Sequence, residues 1–269
     1  MNRRIQLGLL ISALLIAAAC SSEPKQTQPV TTTSDSGTSS AAPAKDATAR
    51  EKAFVRVINA APGTTAFDIF ADDQKVFDSV AFKGVTPYQE VPGQRFTFRL
   101  RPAGQDSAPA AAENSEGLSA GKHYTLVVMP DNNNKTTFYI VNDNLTNPAT
   151  DTAQLRVIHA SPDAGEIDVV DKQENKKLFS GVNFEKNTNY MDVDPTKKVT
   201  LEVRQEGQQQ PLLTVPNANF EKGKFYTIVV TGRVKGTPKL QTLTVEDQLG
   251  KATAATASPE KLMKTGYKK

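Results

Sequence analysis

The stretch QRFTFRLRP at residues 94–102 alternates apolar and polar side chains with a period of two. Phe96, Phe98 and Leu100 fall on one face, and arginine and threonine side chains fall on the other. This period is the pattern of a β-strand with one face buried and the other face in water. The stretch VTLEV at 199–203 shows the same alternation. The two stretches therefore predict strands at corresponding places in two related modules.

These strands belong to an internal repeat that extends over most of the chain. The matched segments are VRVINAAP at 55–62 with LRVIHASP at 155–162, FDIF at 67–70 with IDVV at 167–170, VAFKGVTPY at 80–88 with VNFEKNTNY at 182–190, GKHYTLVV at 121–128 with GKFYTIVV at 223–230, and VNDNL at 141–145 with VEDQL at 245–249. Self-similarity at a nearly fixed spacing indicates duplication of one structural unit. We predict two tandem modules, at residues 51–148 and 152–249.

Each module is predicted to be all-β, an antiparallel β-sandwich similar to an immunoglobulin domain. YTLVVM at 124–129 is apolar on both faces, which is typical of a central strand. Segments such as DNNN at 131–134 separate the apolar runs as turns. Many short strands divided by turns favour a sandwich. The polar stretches 102–117 and 205–219 are expected to be connections between strands.

The repeated segments also resemble a known family. The openings VRVINAAP…FDIF and LRVIHASPDAGEIDVV, the TPY turn and the GKxYT strands are similar to domain of unknown function 4397. The resemblance covers residues 54–147 and 153–249. It implies a β-rich module of exported bacterial proteins that often occurs in tandem. It implies no activity and assigns no catalytic residue.

The N-terminus predicts export and lipidation. An arginine pair, an apolar run from Ile5 to Ile16 and three alanines precede Cys20, the only cysteine of the chain. The AAAC segment resembles a bacterial lipobox. We predict a lipoprotein signal peptide at 1–19 and a lipid on Cys20; the alternatives are an ordinary cleaved secretory signal and a retained anchor helix. Ser21-Ser22 resembles an outer-membrane sorting signal, so the predicted location is the cell envelope, lipid-anchored, at the outer membrane.

Two further segments flank the modules. Residues 20–50 are rich in Ser, Thr, Pro and Ala, a composition that predicts a disordered tether. Residues 250–269 form a lysine-rich tail that is expected either to contact anionic headgroups or cell-wall polymers or to be a solvated terminus. Because basic residues cluster only in this tail, nucleic acid is not an expected partner. The expected partners are the membrane, through the lipid, and an envelope protein or polysaccharide.

Few residues suggest chemistry. The only histidines, His123 and His159, occupy unmatched positions of the two copies, so no repeated histidine site, metal or cofactor is expected. The acids present in both copies are Asp68 with Asp168 and Asp143 with Asp247. A glycosidase needs two carboxylates that face each other across a cleft, and the spacing of these acids does not indicate one. Asp68 is expected to point outward from an edge strand, and no catalytic residue is predicted.

Two pairs of tyrosines are candidate site residues. Tyr124 and Tyr226 lie near the start of a late strand in each copy, where a tyrosine can form a tyrosine corner through its hydroxyl group; packing in the core is the alternative. Tyr88 and Tyr190 follow turns and are candidates for an aromatic binding platform, with packing at the rim of the core as the alternative.

The sequence therefore predicts a non-enzymatic lipoprotein that presents two β-sandwich modules for binding or scaffolding in the cell envelope. One alternative is a carbohydrate-active hydrolase that uses the shared carboxylates. Another is a periplasmic carrier of a small ligand, which would have an apolar cavity inside one sandwich or between the two.

Overall fold

The computed structural model describes residues 52–145, 151–247 and 256–257. Repeat 1 consists of eight strands: β1 (Lys52–Asn59), β2 (Phe67–Ala71), β3 (Gln74–Val80), β4 (Gln89–Pro92), β5 (Arg95–Pro102), β6 (Ala112–Gly117), β7 (His123–Pro130) and β8 (Thr136–Asp143). The described residues contain no helix. The alternation of β5 is confirmed, because Phe96, Phe98 and Leu100 are buried while Arg95 is exposed.

The strands of repeat 1 form two four-stranded sheets. The inner sheet has the order β4-β1-β7-β8, and the outer sheet has the order β3-β2-β5-β6. Most ladders are antiparallel, but β1 and β7 run parallel. The apolar side chains of the two sheets meet in one core that includes Val55, Phe98 and Leu126. Repeat 1 is therefore a β-sandwich.

Repeat 2 has the same architecture. Its strands are β9 (Ala153–His159), β10 (Ile167–Asp171), β11 (Lys176–Val182), β12 (Lys186–Asn187), β13 (Met191–Val193), β14 (Val199–Gln205), β15 (Pro211–Ala218), β16 (Phe225–Thr231) and β17 (Gln241–Asp247), followed by β18 (Thr256–Ala257). In its inner sheet β9 lies between β16 and the short strands β12 and β13, and β17 and β18 follow β16. Its outer sheet has the order β11-β10-β14-β15. The chain is thus an all-β protein with tandem sandwiches.

A third apolar cluster joins the two repeats. It contains Ile58, Val127 and Met129 from repeat 1 together with Ile158 and Val229 from repeat 2. Successive side chains of a strand point to opposite faces of its sheet. In each inner sheet one set of side chains packs in the sandwich core, so the alternate set points at the other repeat. The cluster therefore lies between the two inner sheets. The described residues of both repeats belong to one compact unit.

The prediction that residues 102–117 and 205–219 are connections is wrong in part. Each stretch contains an edge strand, β6 or β15, which pairs with its sheet on one side only. Five of the six residues of β6 are polar or glycine, and none of the six is buried. An edge strand with so little apolar surface has no alternating pattern from which it could be recognised.

Candidate functional site

A network of charged and polar side chains lies buried between the repeats. Arg56 follows Val55 on β1, and since Val55 faces the core of repeat 1, the Arg56 side chain points toward repeat 2. Its Nη2 donates a hydrogen bond to Asp247 Oδ1 of repeat 2, and its Nε donates to Thr125 Oγ1 at 2.8 Å. The side chains of Arg56 and Asp247 are both 0% exposed.

The second repeat makes the equivalent contact with the first. Arg156, which matches Arg56 in sequence, donates from Nη2 to Asp143 Oδ1 of repeat 1 at 2.5 Å. Its Nε donates to Thr227 Oγ1 at 2.7 Å. Each arginine is therefore neutralised by the aspartate at the end of the last long strand of the other repeat. We call these two ion pairs and their polar partners the interface network.

Tyrosine and threonine hydroxyl groups complete the interface network. The hydroxyl groups of Tyr88 and Thr125 donate to Asp143 Oδ2 at 2.7 and 2.6 Å. Those of Tyr190 and Thr227 donate to Asp247 Oδ2 at 2.7 and 2.5 Å. The network's residues are Arg56, Arg156, Asp143, Asp247, Tyr88, Tyr190, Thr125 and Thr227. Every aspartate oxygen of the network thus accepts at least one hydrogen bond, as buried charges require.

Cation–π contacts tie the tyrosine rings to the arginines. The guanidinium carbon of Arg56 lies 4.9 Å from the centre of the Tyr88 ring, and that of Arg156 lies 4.7 Å from the centre of the Tyr190 ring. A guanidinium over an aromatic face at this distance is attracted by the ring quadrupole. Each tyrosine therefore links the two ion pairs, because its hydroxyl group binds the carboxylate of one pair and its ring face contacts the guanidinium of the other.

Electrostatics keep Arg56 and Asp143 ionised. Burial alone would raise the pKa of Asp143, but the positive charges of Arg156 and Arg56 outweigh it and hold this pKa below its usual value. Burial would likewise lower the pKa of Arg56, and the negative charge of Asp247 raises it instead. Burial and the charge of Asp143 raise the pKa of Tyr88 well above its usual value. These groups stay charged, or for tyrosine neutral, through the physiological pH range.

The structure corrects the prediction of an aromatic platform at Tyr88 and Tyr190. Tyr88 is buried and Tyr190 half-buried, and both hydroxyl groups are bonded to carboxylates of the interface network. Their rings pack edge-on against His123 and Phe225. The buried Tyr88 ring therefore offers no free face for an external ligand, and the half-buried Tyr190 ring is fixed by the equivalent contacts. The alternative of packing describes these tyrosines better.

Tyr124 and Tyr226 form the same hydrogen bond in both repeats. The hydroxyl oxygen of Tyr124 accepts from the backbone N–H of Ser119 at 2.9 Å, and that of Tyr226 accepts from Glu221 N–H at 3.1 Å. Each bond joins the start of a central strand to the corner that precedes it. Both rings also pack in their sandwich cores. The contribution of these hydroxyl groups to stability stays a prediction.

The prediction that Asp68 points outward from an edge strand is wrong. β2 lies between β3 and β5, and the Asp68 side chain is 0% exposed. It accepts hydrogen bonds from Lys75 Nζ and from the backbone N–H groups of Ser79 and Gly104. The matching Asp168 is also buried and binds Lys177 Nζ at 2.7 Å. These two carboxylates fix the β2–β3 and β10–β11 hairpins to their sheets.

The histidines occupy separate environments. His123 stacks on Phe54, and burial lowers its pKa. His159 contacts the carbonyl oxygen of Gly165 through Nε2 at 2.7 Å, and burial lowers its pKa as well. Within the part of the chain that the structure describes, no group of three or more histidine, cysteine, aspartate or glutamate side chains could hold a metal ion.

Several predicted features lie outside the described residues. They are the signal peptide at 1–19, the lipid-bearing Cys20, the tether at 20–50 and almost all of the tail at 250–269. Among the residues that are described, none forms a helix long and apolar enough to cross a membrane.

Equivalent grooves open at one end of each sandwich. In repeat 1 a groove of about 870 Å³ is lined by the β2–β3 hairpin and by β4. In repeat 2 a groove of about 230 Å³ is lined by the β10–β11 hairpin and by β13. Carboxylates line both, for example Asp73 and Glu90 in the first and Asp192 and Asp194 in the second. The duplication thus reproduced a surface groove as well as the core.

Comparisons with known proteins agree with this duplicated fold. The family model described as "Domain of unknown function (DUF4397)" matches residues 53–170 and 169–258. The chain belongs to this family. Its two DUF4397 repeats were predicted from sequence, and this prediction is confirmed.

Other comparisons add little to the family match. No curated protein sequence matches the chain. Among solved structures, the Bacillus anthracis TIE protein matches at 12% identity and a TM-score of 0.23. The match covers 67% of this chain and 34% of that one, so the chain spans about a third of that protein's length.

Sequence reasoning missed the two arginines of the interface network. Arg56 and Arg156 occupy the same position of the repeated opening, each between two apolar residues of a strand. A charge at a repeated position within an apolar strand is a signal for a buried partner, because an unpaired buried charge is costly. Asp143 and Asp247 carry the complementary signal in the middle of the last repeated segment. The sequence does not show that each arginine pairs with the aspartate of the other repeat.

Proposed function

We propose that this chain is a non-enzymatic, lipid-anchored protein of the cell envelope whose two DUF4397 repeats act together as one rigid module for binding or scaffolding. The observation that carries the proposal is the interface network, in which each repeat neutralises the buried arginine of the other. The module then presents its exposed outer sheets and grooves to a partner in one fixed arrangement.

The interface network favours a single arrangement for an energetic reason. Removing one partner from a buried ion pair costs about 3–5 kcal/mol, because a charge is left uncompensated in the interior. A slipped or rotated arrangement would break both pairs, Arg56–Asp247 and Arg156–Asp143, at once. The apolar cluster around Ile58 and Ile158 supplies nonspecific attraction, and the ion pairs select the orientation.

Catalysis by the shared carboxylates is poorly supported by their geometry. Asp143 and Asp247 are buried and paired with arginines, and Asp68 and Asp168 are buried and paired with lysines. A glycosidase needs one carboxyl group with a raised pKa and a second carboxylate across an open cleft. Here the pKa values of Asp68, Asp143 and Asp168 are lowered instead. A ligand carrier that uses the junction is also disfavoured, since apolar side chains fill the space between the inner sheets.

The anchor is testable in a bacterial expression host fed a labelled fatty acid. We expect the wild-type chain to incorporate the label and to fractionate with membranes. Because Cys20 is the only cysteine, Cys20→Ser should abolish both the label and the membrane association while leaving the fold intact. A labelled Cys20→Ser chain, or an unlabelled wild-type chain that is fully soluble, would contradict the anchor.

The binding role is testable with the Cys20→Ser chain from residue 20 onward. Immobilised chain is exposed to purified envelope polymers and to solubilised envelope proteins, and an Arg56→Met/Arg156→Met variant serves as the matched control. We expect a retained partner whose retention falls when the interface network is removed. Turnover of envelope glycans by the purified chain, without any retained partner, would favour the hydrolase instead.

A further inference from the structure

One groove of repeat 2 lies between strands whose counterparts in repeat 1 contact each other. In repeat 1 the edge strands β6 and β8 lie against each other. In repeat 2 a groove of about 370 Å³ separates the corresponding strands β15 and β17. Its lining residues are Lys83, Leu213, Thr214, Val215, Pro216, Pro238, Lys239, Leu240, Gln241 and Thr242. We call this the β15–β17 groove.

The groove results from a longer connection before β17. Residues 131–135 join β7 to β8, whereas the longer segment 232–240 joins β16 to β17 and supplies three of the lining residues. Gly232 allows the segment to fold back, because it adopts φ +83° and a Cβ atom there would collide with the Lys239 carbonyl oxygen. Leu240 N–H then donates to the Arg233 carbonyl oxygen at 2.8 Å. This segment is therefore a defined part of the fold.

The walls of the groove are strand edges. β15 ends its sheet, so one side of its backbone has no ladder partner among the described residues. On the opposite wall, β17 pairs with β16 along one edge, and on its other edge β18 pairs with Leu243 and Thr244 only. On that second edge Gln241 and Thr242 have no ladder partner in the described part of the chain. Free strand edges bind extended polypeptide by adding a strand. The pairing of β18 with β17 is itself an example on the same edge.

The charge of the groove is one-sided. Its lining contains two lysines and no carboxylate. Lys83 reaches the groove from repeat 1, and Lys239 belongs to the β16–β17 connection. Neither ammonium group has a carboxylate partner among the described residues. Leu213, Val215 and Leu240 add apolar side chains to the lining. An occupant that matches this lining carries carboxylates on one face and apolar side chains on the other.

We propose that the β15–β17 groove binds an extended acidic segment of a partner protein, which adds as a strand to the free edge at Gln241 and Thr242. This inference rests on the proposed binding function and names its partner class. The chain's own tail is a poor competitor. In the register of β18, Pro259 would stand opposite Gln241, and proline has no N–H to donate to a ladder. The tail also carries five lysines against a single acid, Glu260.

The test is a titration of the ¹⁵N-labelled Cys20→Ser chain, from residue 20 to the end, with a soluble seven-residue peptide that alternates glutamate and valine. The control peptide has lysine in place of glutamate. We expect the amide signals of residues 213–215 and 240–242 to shift with the acidic peptide only. A Lys83→Glu/Lys239→Glu variant should weaken binding at least tenfold. A Lys122→Glu/Lys186→Glu variant, which makes the same charge change at exposed sites away from the groove, should bind like the parent chain.

Three results would overturn the proposal. The groove signals do not shift with the acidic peptide, or they shift equally with both peptides. Alternatively, a chain that ends at residue 257 shows shifted groove signals without any peptide, which would identify the tail as the occupant. Acidic-peptide shifts confined to other surfaces would contradict the groove while leaving the proposed binding function in place.

Discussion

Arg156 brings a positive charge between two apolar sheets, and Asp143 of the other repeat neutralises it at 2.5 Å. The ion pair adds little net stability compared with apolar residues at the same two positions, because both charged groups lose their hydration. The ion pair matters because removing one partner leaves the other charge buried and unpaired, which destabilises the fold. The contacts of these single residues therefore decide how the two repeats are oriented.

We expect Arg156→Met to lower the free energy of unfolding by about 3–5 kcal/mol, because it leaves Asp143 buried without its cation. Urea unfolding followed by circular dichroism measures this change. Lys52→Met is the matched control: its ion pair with Glu90 is exposed, and such pairs contribute about 0–1 kcal/mol. Equal losses in the two variants would show that Arg156 has no special role.

Acid should weaken the fold through the buried aspartates. Burial would raise the pKa of Asp68, but hydrogen bonds from Lys75 and from backbone N–H groups lower it to about 2. A lowered pKa means that the stability from this carboxylate is present above about pH 4 and is lost as the pH falls toward 2. We expect the urea midpoint of Asp68→Asn to depend less on pH than the wild-type midpoint over this range. Parallel profiles would contradict the assignment.

At the scale of elements, the corner tyrosines tie each central strand to the turn before it. Tyr124→Phe and Tyr226→Phe each remove one hydrogen bond to a backbone N–H and should cost about 0.5–1.5 kcal/mol of stability. Tyr139→Phe is a matched control on β8, because the buried Tyr139 hydroxyl has no hydrogen-bond partner in the described structure. We expect this control to be neutral or stabilising in thermal unfolding. A loss of stability as large as that of Tyr124→Phe would contradict the role assigned to the corner hydroxyl groups.

Strands with a clear pattern were predictable, and strands without one were not. β5 and β14 have apolar residues at every second position, as expected for a sheet with one wet face. Glu202 breaks the rule because it is buried beside Arg204 and Lys172. β7 and β16 were expected to be central because both of their faces are apolar. They are central, and their second face is covered by the other repeat rather than by a further layer of the same sandwich.

The sequence carries a signal for the charged residues of the candidate site but not for their pairing. The duplication makes Asp143 and Asp247 visible as repeated acids, and Arg56 and Arg156 as repeated cations within apolar strands. Sequence spacing cannot tell a pair within one repeat from a pair exchanged between repeats, because both assign each arginine to an equivalent aspartate. Only the packing of one inner sheet on the other decides between them.

At the scale of the whole molecule, the exchange of partners predicts how one repeat behaves alone. A fragment of residues 51–148 exposes the apolar face around Ile58 and Met129, and it carries both Arg56 and Asp143. Two copies can therefore reproduce the exchange symmetrically. We expect this fragment to form a dimer in sedimentation experiments. Asp143→Asn should weaken the dimer at least tenfold, and a strictly monomeric fragment would contradict the account.

The central claim is that the interface network holds the two DUF4397 repeats in one fixed orientation. The most direct test is a distance measurement by pulsed electron spin resonance on the Cys20→Ser chain, with spin labels at Asn114→Cys and Lys176→Cys. These positions are exposed and lie in different repeats. We predict a single narrow distance distribution that broadens when Arg56→Ala and Arg156→Ala are added. A broad distribution in the parent chain, or a narrow one that survives both substitutions, would contradict the claim.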